Sequence, residues 1–185
     1  MRASSKWVTA LAAAVAMAAS WSCDPVHNNA IAALGPEDPS VPKGPLHRPG
    51  QDCNICHGGS GPGGKAFVAA GTVYAAYDDA APLNGATIVL TDANGYTPPQ
   101  SMLPITTNAA GNFYITTDDW APTFPVSVAV TYKGVATPTQ MFSHMGKAGS
   151  CAKCHQGAAT ASTTPETQST VAQVYFANTI KGFTP

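Results

Sequence analysis

Charge is scarce in this chain. Lysine and arginine number 9, and aspartate and glutamate 10, among 185 residues, for a formal net charge of −1. No basic stripe exists, which argues against a nucleic-acid partner. No apolar run reaches the roughly 20 residues that a membrane-spanning helix needs. The glycine-rich run over residues 58–64 ends at Lys65 without the Gly-Lys-Ser/Thr of a phosphate-binding loop, which removes that reading. Cysteine is limited to five residues, and no βαβ pattern surrounds them, which weighs against a dithiol oxidoreductase. What is abundant is 17 glycines and 16 prolines, the composition of a chain with many turns and few long helices.

The N-terminal stretch carries Arg2 and Lys6, then a largely apolar, Ala-rich run over residues 7–19, then small residues up to Cys23. That pattern predicts a secretory signal peptide over residues 1–22 and an exported protein, in the bacterial periplasm or on the outer cell surface. Without Arg2 and Lys6, seven basic residues stand against ten acidic ones. Cys23 follows Ala18-Ala19-Ser20-Trp21-Ser22, a placement similar to a bacterial lipoprotein signal in which the cysteine becomes the lipidated first residue. Ser20 stands where such signals usually have leucine, and cleavage after Ala18 is the alternative. A free thiol left in an oxidising compartment is a liability, which favours lipidation of Cys23 and membrane attachment through that lipid.

The other four cysteines fall into two copies of one pattern, Cys53-Asn54-Ile55-Cys56-His57 and Cys151-Ala152-Lys153-Cys154-His155. On one helical turn, residues i, i+3 and i+4 share a face. Two thiols can then form thioethers to the two vinyl groups of a haem while the adjacent imidazole turns to the iron. A four-thiolate zinc site or two disulfides are the competing readings. Neither requires a histidine directly after each second cysteine, and both pairs have one. The doubled motif resembles that of c-type cytochromes and implies two covalently attached c-type haems. Cys53, Cys56, Cys151 and Cys154 are the expected attachment points, and His57 and His155 the proximal iron ligands. Export agrees with this, because such attachment is completed outside the bacterial cytoplasm.

Between the motifs the chain reads as β. Val126, Val128, Val130 and Tyr132 alternate with polar or small residues, as do Ile88 and Leu90 before the turn Asp92-Ala93-Asn94-Gly95. Residues 72–77, 105–108 and 113–117 bring the expectation to five to seven short strands, a small sandwich. Three segments, Gly71-Thr72-Val73-Tyr74, residues 82–92 (PLNGATIVLTD) and residues 106–115 (TTNAAGNFYI), resemble the carboxypeptidase regulatory-like family over about residues 68–134. That resemblance implies a transthyretin-like or immunoglobulin-like β-sandwich acting as a scaffold without catalysis. The expected organisation is a signal peptide at 1–22, a Pro-rich tether at 23–50, a first haem-binding segment of short helix and loop at 51–66, and the sandwich at 67–135. A second haem-binding segment follows at 136–160, and a tail with a last strand near 171–177 at 161–185. The fold class is mainly β.

The second axial ligand decides what each iron can do. His47 lies six residues before Cys53 and His144 seven before Cys151, a near-repeat that makes both candidate distal ligands. Met141 and Met145 are the competing sulfur ligands, or packing residues at the haem edge. His27 lies in the tether and reads as solvated. Ligation within each haem, or crossed between the two, is open from sequence. Six-coordinate irons imply outer-sphere electron transfer between redox proteins or other cytochromes, with no catalytic residues. A dihaem peroxidase-like enzyme needs an open iron and placed acid-base groups, and a cell-surface binding module with structural haems is a third reading. Oligomers or filaments through haem stacking are compatible with the sequence.

Overall fold

A computed structural model of the chain describes residues 25–41, 43–75, 81–133 and 138–155. The expected signal peptide, Cys23 and the tail over 161–185 lie outside these residues. The chain divides into two units, residues 1–35 and 36–185. The first contains helix α1, Pro25–Ala33. Here the structure departs from the tether expected over 23–50. Pro25 occupies the first helical position, where its missing N–H costs nothing, and no further proline follows until Pro36. Gly35, at φ 70°, ends the helix with its N–H on the carbonyl of Ala32 at 3.1 Å. His27 lies on α1.

The second unit is a small β-sandwich of two antiparallel sheets. Strands β1 (Phe67–Thr72) and β4 (Asn112–Thr116) form one sheet. Strands β2 (Thr87–Thr91), β3 (Ile105–Thr106), β5 (Ser127–Thr131) and β6 (Thr139–Gln140) form the other, in the order β3-β2-β5-β6. The period-2 patterns fix which faces meet. Ile88 pairs with Val130 and Leu90 with Val128, all four buried, while Val89 between them is 42% exposed. From the facing sheet come Val68, Ala69, Phe113 and Ile115, with Trp120 and Val126 closing the core.

The turn expected at Asp92 forms, and the Asp92 carboxylate holds it by accepting the backbone N–H groups of Asn94, Tyr96 and Thr123 at 2.9, 2.8 and 3.0 Å. Of the strand expected at 72–77, only Thr72 falls in a strand, β1 at Phe67–Thr72; residues 73–75 belong to none, and 76–77 lie outside the described residues. The β1 sequence, Phe-Val-Ala-Ala-Gly-Thr, does not alternate, because all of Val68–Thr72 is buried. Strand β4 lies along one edge of β1, and residues 149–150 along the other, with Ala70 bridged in parallel to Ser150. Small residues at 69–71 permit that close cover, and small residues are what hid the strand in the sequence.

Candidate functional site

Each Cys-x-x-Cys-His forms one tight turn, and the two turns have the same hydrogen bonds. In the first, helix α2 (Asn54–His57), the N–H groups of Cys56 and His57 both donate to the carbonyl of Cys53, at 3.2 and 2.8 Å. In the second, a 3₁₀ turn over Cys151–Lys153, the N–H groups of Cys154 and His155 both donate to the carbonyl of Cys151, at 3.2 and 2.9 Å. Asp52 starts the first turn by accepting the N–H of Asn54 at 3.1 Å. The sequence repeat is therefore also a repeat of backbone conformation, with both thiols and the imidazole carried on four consecutive steps of one coil.

The sandwich brings the two turns together. Asn54, inside the first motif, donates from Nδ2 to the carbonyls of Phe67 on β1 at 3.3 Å and of Ala148, just before the second motif, at 2.6 Å. The ammonium of Lys153 stands 4.0 Å from the carboxylate of Asp52. The N–H of Ala70 donates to the carbonyl of Gly149 at 2.8 Å. A Cβ added to Gly71 would sit 2.5 Å from Sγ of Cys151, so the absence of a side chain there is what admits that cysteine against β1. Gly149, at φ 64°, is pinned in the same way, with the carbonyl of Val68 2.5 Å from where its Cβ would be.

Cys53, Cys56, Cys151 and Cys154 are free thiols. Burial, reinforced by the charge of Asp52, pushes the Cys53 thiol up to about 11. Burial, reinforced by the nearby Cys53, pushes Cys151 up to about 12. Neither is an activated thiolate of the kind that attacks disulfides. Among the described residues no three His, Cys, Asp or Glu side chains gather closely enough to hold a metal ion, so the four thiols do not preassemble a tetrahedral site.

Around the first motif, two imidazoles converge. His57 Nδ1 lies 2.9 Å from the carbonyl of Lys65, and His47 Nδ1 contacts the carbonyl of Gly44. A carbonyl only accepts, so each ring donates from Nδ1 in these contacts, which reserves Nε2 as the nitrogen that a neutral ring would offer to a metal. The two ring centroids are 5.9 Å apart. Two metal–nitrogen bonds of about 2 Å, with half an imidazole on either side, come to roughly 6 Å. The separation of the two rings is thus of the size that two nitrogen ligands of one metal ion would need. Phe67 stacks on His57 at 4.1 Å and Tyr114 on Phe67 at 4.7 Å, which fixes the plane of the His57 ring.

The second motif opens on a cavity of about 470 Å³. Cys151, Cys154 and His155 line it together with His144, Met141 and Met145, so every candidate distal ligand of this half faces one space. They differ in burial. Met145 is buried in the core cluster, with its backbone paired to Val126 through hydrogen bonds of 2.9 and 2.8 Å. Met141 is partly buried, His144 is exposed, and Phe142 at the rim is fully exposed. Val73, Ile88, Phe113, Val128 and Val130 supply an apolar floor continuous with the sandwich core.

The glycine-rich run over 58–64 does more than release the chain. Gly63 donates its N–H to the carbonyl of Cys56 at 2.8 Å, and a Cβ there would collide with the His57 ring and that carbonyl. The loop is thus folded back over the motif, which places the Lys65 carbonyl on His57. Asn54, Thr72, Asn108 and Asn112 hold the site together and escaped the sequence reading; the one signal for them was the Asn108-x-x-x-Asn112 spacing of a side-chain-capped turn. Comparisons with protein-family models, with curated proteins and with solved structures found no match to this chain.

Proposed function

We propose that the chain is an exported dihaem c-type cytochrome that passes electrons between redox partners by outer-sphere transfer. The observation that carries this reading is the first site, where the thiols of Cys53 and Cys56 share one turn with His57, and the His47 and His57 rings lie 5.9 Å apart between centroids. A haem held covalently by these cysteines would supply one-electron chemistry, and His47 and His57 together would occupy the positions that a substrate would need. The chain's own residues then have positioning roles. Lys65 and Gly44, through their carbonyls, fix the tautomers and orientations of His57 and His47. Cys151, Cys154 and His155, which line the apolar cavity, would hold the second haem there, and His144, Met141 or Met145 on the same wall would supply its other ligand.

The placement of His47 beside His57, and of His144 on the cavity wall of the second motif, supports ligation of each haem by its own neighbourhood over crossed ligation. The sandwich, in a manner similar to the carboxypeptidase regulatory-like family, acts as the scaffold that sets the two motifs side by side. Lipidation at Cys23 would tether the protein to a membrane. Optical spectra of the matured protein test the reading. Low-spin iron at both haems, with no carbon monoxide binding on reduction and no peroxide turnover, is expected; high-spin iron with peroxide turnover would replace it with a peroxidase.

A further inference from the structure

His47 belongs to no helix or strand. The stretch from Gly44 to Gly50 is a series of turns, and Arg48, immediately after the histidine, adopts φ 50°. A residue with a Cβ takes that left-handed conformation only where its surroundings impose it. Those surroundings are the end of the β1–β4 ladder. Thr72 and Asn112 are the last register pair of the two strands. The Asn112 side-chain amide donates to the carbonyl of His47 at 3.1 Å and to that of Pro45 at 3.2 Å. Its Oδ1 accepts the hydroxyl of Thr72 at 2.7 Å, and the Thr72 hydroxyl in turn accepts the N–H of Gly50 at 2.7 Å. Asn108 adds a second hydrogen bond to the carbonyl of Pro45 at 2.7 Å, and its Oδ1 accepts the N–H of Asn112 at 3.1 Å.

The result is a closed hydrogen-bonded circuit that runs from His47 through Asn112 and Thr72 to Gly50. Thr72 is buried, and the amide of Asn112 can point only one way, because its oxygen must face a hydroxyl donor and its nitrogen two carbonyls. We infer that Thr72 and Asn112 are positioning residues that clamp the His47 loop, so that the sandwich holds the second imidazole of the first site in place. This rests on the haem reading above and adds to it a role for the β-domain: one strand end sets the coordination of the iron.

The test uses the exported protein carrying both haems, with the variants His47→Ala, Asn112→Ala, Thr72→Val and Thr72→Ser, read by ferric spin state and carbon monoxide binding after reduction. His47→Ala turns one haem of the two high-spin. Asn112→Ala and Thr72→Val are expected to give the same spectral change in part, with at least about tenfold more carbon monoxide-reactive haem than the unmutated protein. Millimolar imidazole restores their low-spin spectrum, and Thr72→Ser, which keeps the hydroxyl, stays low-spin. If His47→Ala changes the spectrum while Asn112→Ala and Thr72→Val do not, the clamp is overturned and the dihaem reading stands. High-spin iron that imidazole fails to restore also overturns it, since that is general unfolding. No change in His47→Ala overturns the clamp together with His47 ligation, and a protein without haem overturns the reading on which both rest. Should Asn112→Ala fail to mature, the Thr72→Val and Thr72→Ser pair decides alone.

Discussion

Asn54 is the residue whose replacement reports most directly on whether the two motifs lie side by side. Its Nδ2 bridges Phe67 and Ala148, 94 residues from it in sequence, while its Oδ1 is buried without a hydrogen-bond partner among the described residues. Asn54→Ala removes two hydrogen bonds of about 1 kcal/mol each, but it also removes the buried orphan oxygen, whose burial costs about 1 kcal/mol or more. The net loss is about 1 kcal/mol. Asn54→Asp keeps the shape and replaces the only donor with an acceptor, so that a carboxylate faces two carbonyls beside Asp52 at a cost of about 3 kcal/mol. For a unit of this size each 1 kcal/mol moves the melting temperature by about 2–4 °C.

Urea and thermal unfolding followed by far-ultraviolet circular dichroism should therefore rank the wild type first, the alanine variant second and the isosteric aspartate last. Burial and the facing carbonyls raise the pKa of the new carboxyl in the folded state, so the folded protein binds its proton more readily than the unfolded chain. The aspartate deficit must then narrow as pH falls through the carboxylate range. An aspartate variant as stable as the alanine variant at neutral pH, or a deficit independent of pH, would refute the bridge.

Other consequences are open to measurement. In protein prepared without haem, exposed Cys154 should react with iodoacetamide well before the partly buried Cys53 and Cys151, whose thiols are also raised; equal rates would contradict their shielding. Because both thiols are raised above their ordinary value of 9.0, that haem-free form should lose stability as pH rises above 9, by about 1.4 kcal/mol per unit for each thiol, and alkaline unfolding curves flat from pH 9 to 11 would count against it. The Asp92 carboxyl is held below its ordinary value chiefly by the N–H of Thr123, so its contribution is present at neutral pH and disappears as pH falls through the lowered value; Asp92→Asn should lose part of that acid dependence. Gly63→Ala forces a methyl into the His57 ring and should destabilise by about 1–3 kcal/mol, with a perturbed Soret band if the ring moves; an unchanged protein would show that the loop is not packed there.

The legible parts of this molecule are those with local signals. Alternation at Ile88–Leu90 and Val126–Val130 located the central pair of strands, and the Asp92–Gly95 turn was visible from its residues alone. Strand β1 was legible only at Thr72 because Ala69, Ala70 and Gly71, chosen for close approach on both edges, carry no periodicity. Helix α1 was hidden by prolines that cluster after it rather than within it. The two motifs and the flanking histidines were plain, whereas their adjacency was not, because it depends on Asn54, Gly71 and Gly149, residues that mean nothing until the chain folds. His47 and His57 were both identifiable, but only the strand-end amide of Asn112 shows how the first is held near the second.

The measurement closest to the central claim is the haem content of the exported chain, by haem-stained denaturing gel and pyridine haemochrome assay with intact mass. The account predicts two haems per chain that survive denaturation, with Cys53→Ala/Cys56→Ala and Cys151→Ala/Cys154→Ala each removing one. A matured chain with no Soret band, or with zinc in place of haem, would contradict it.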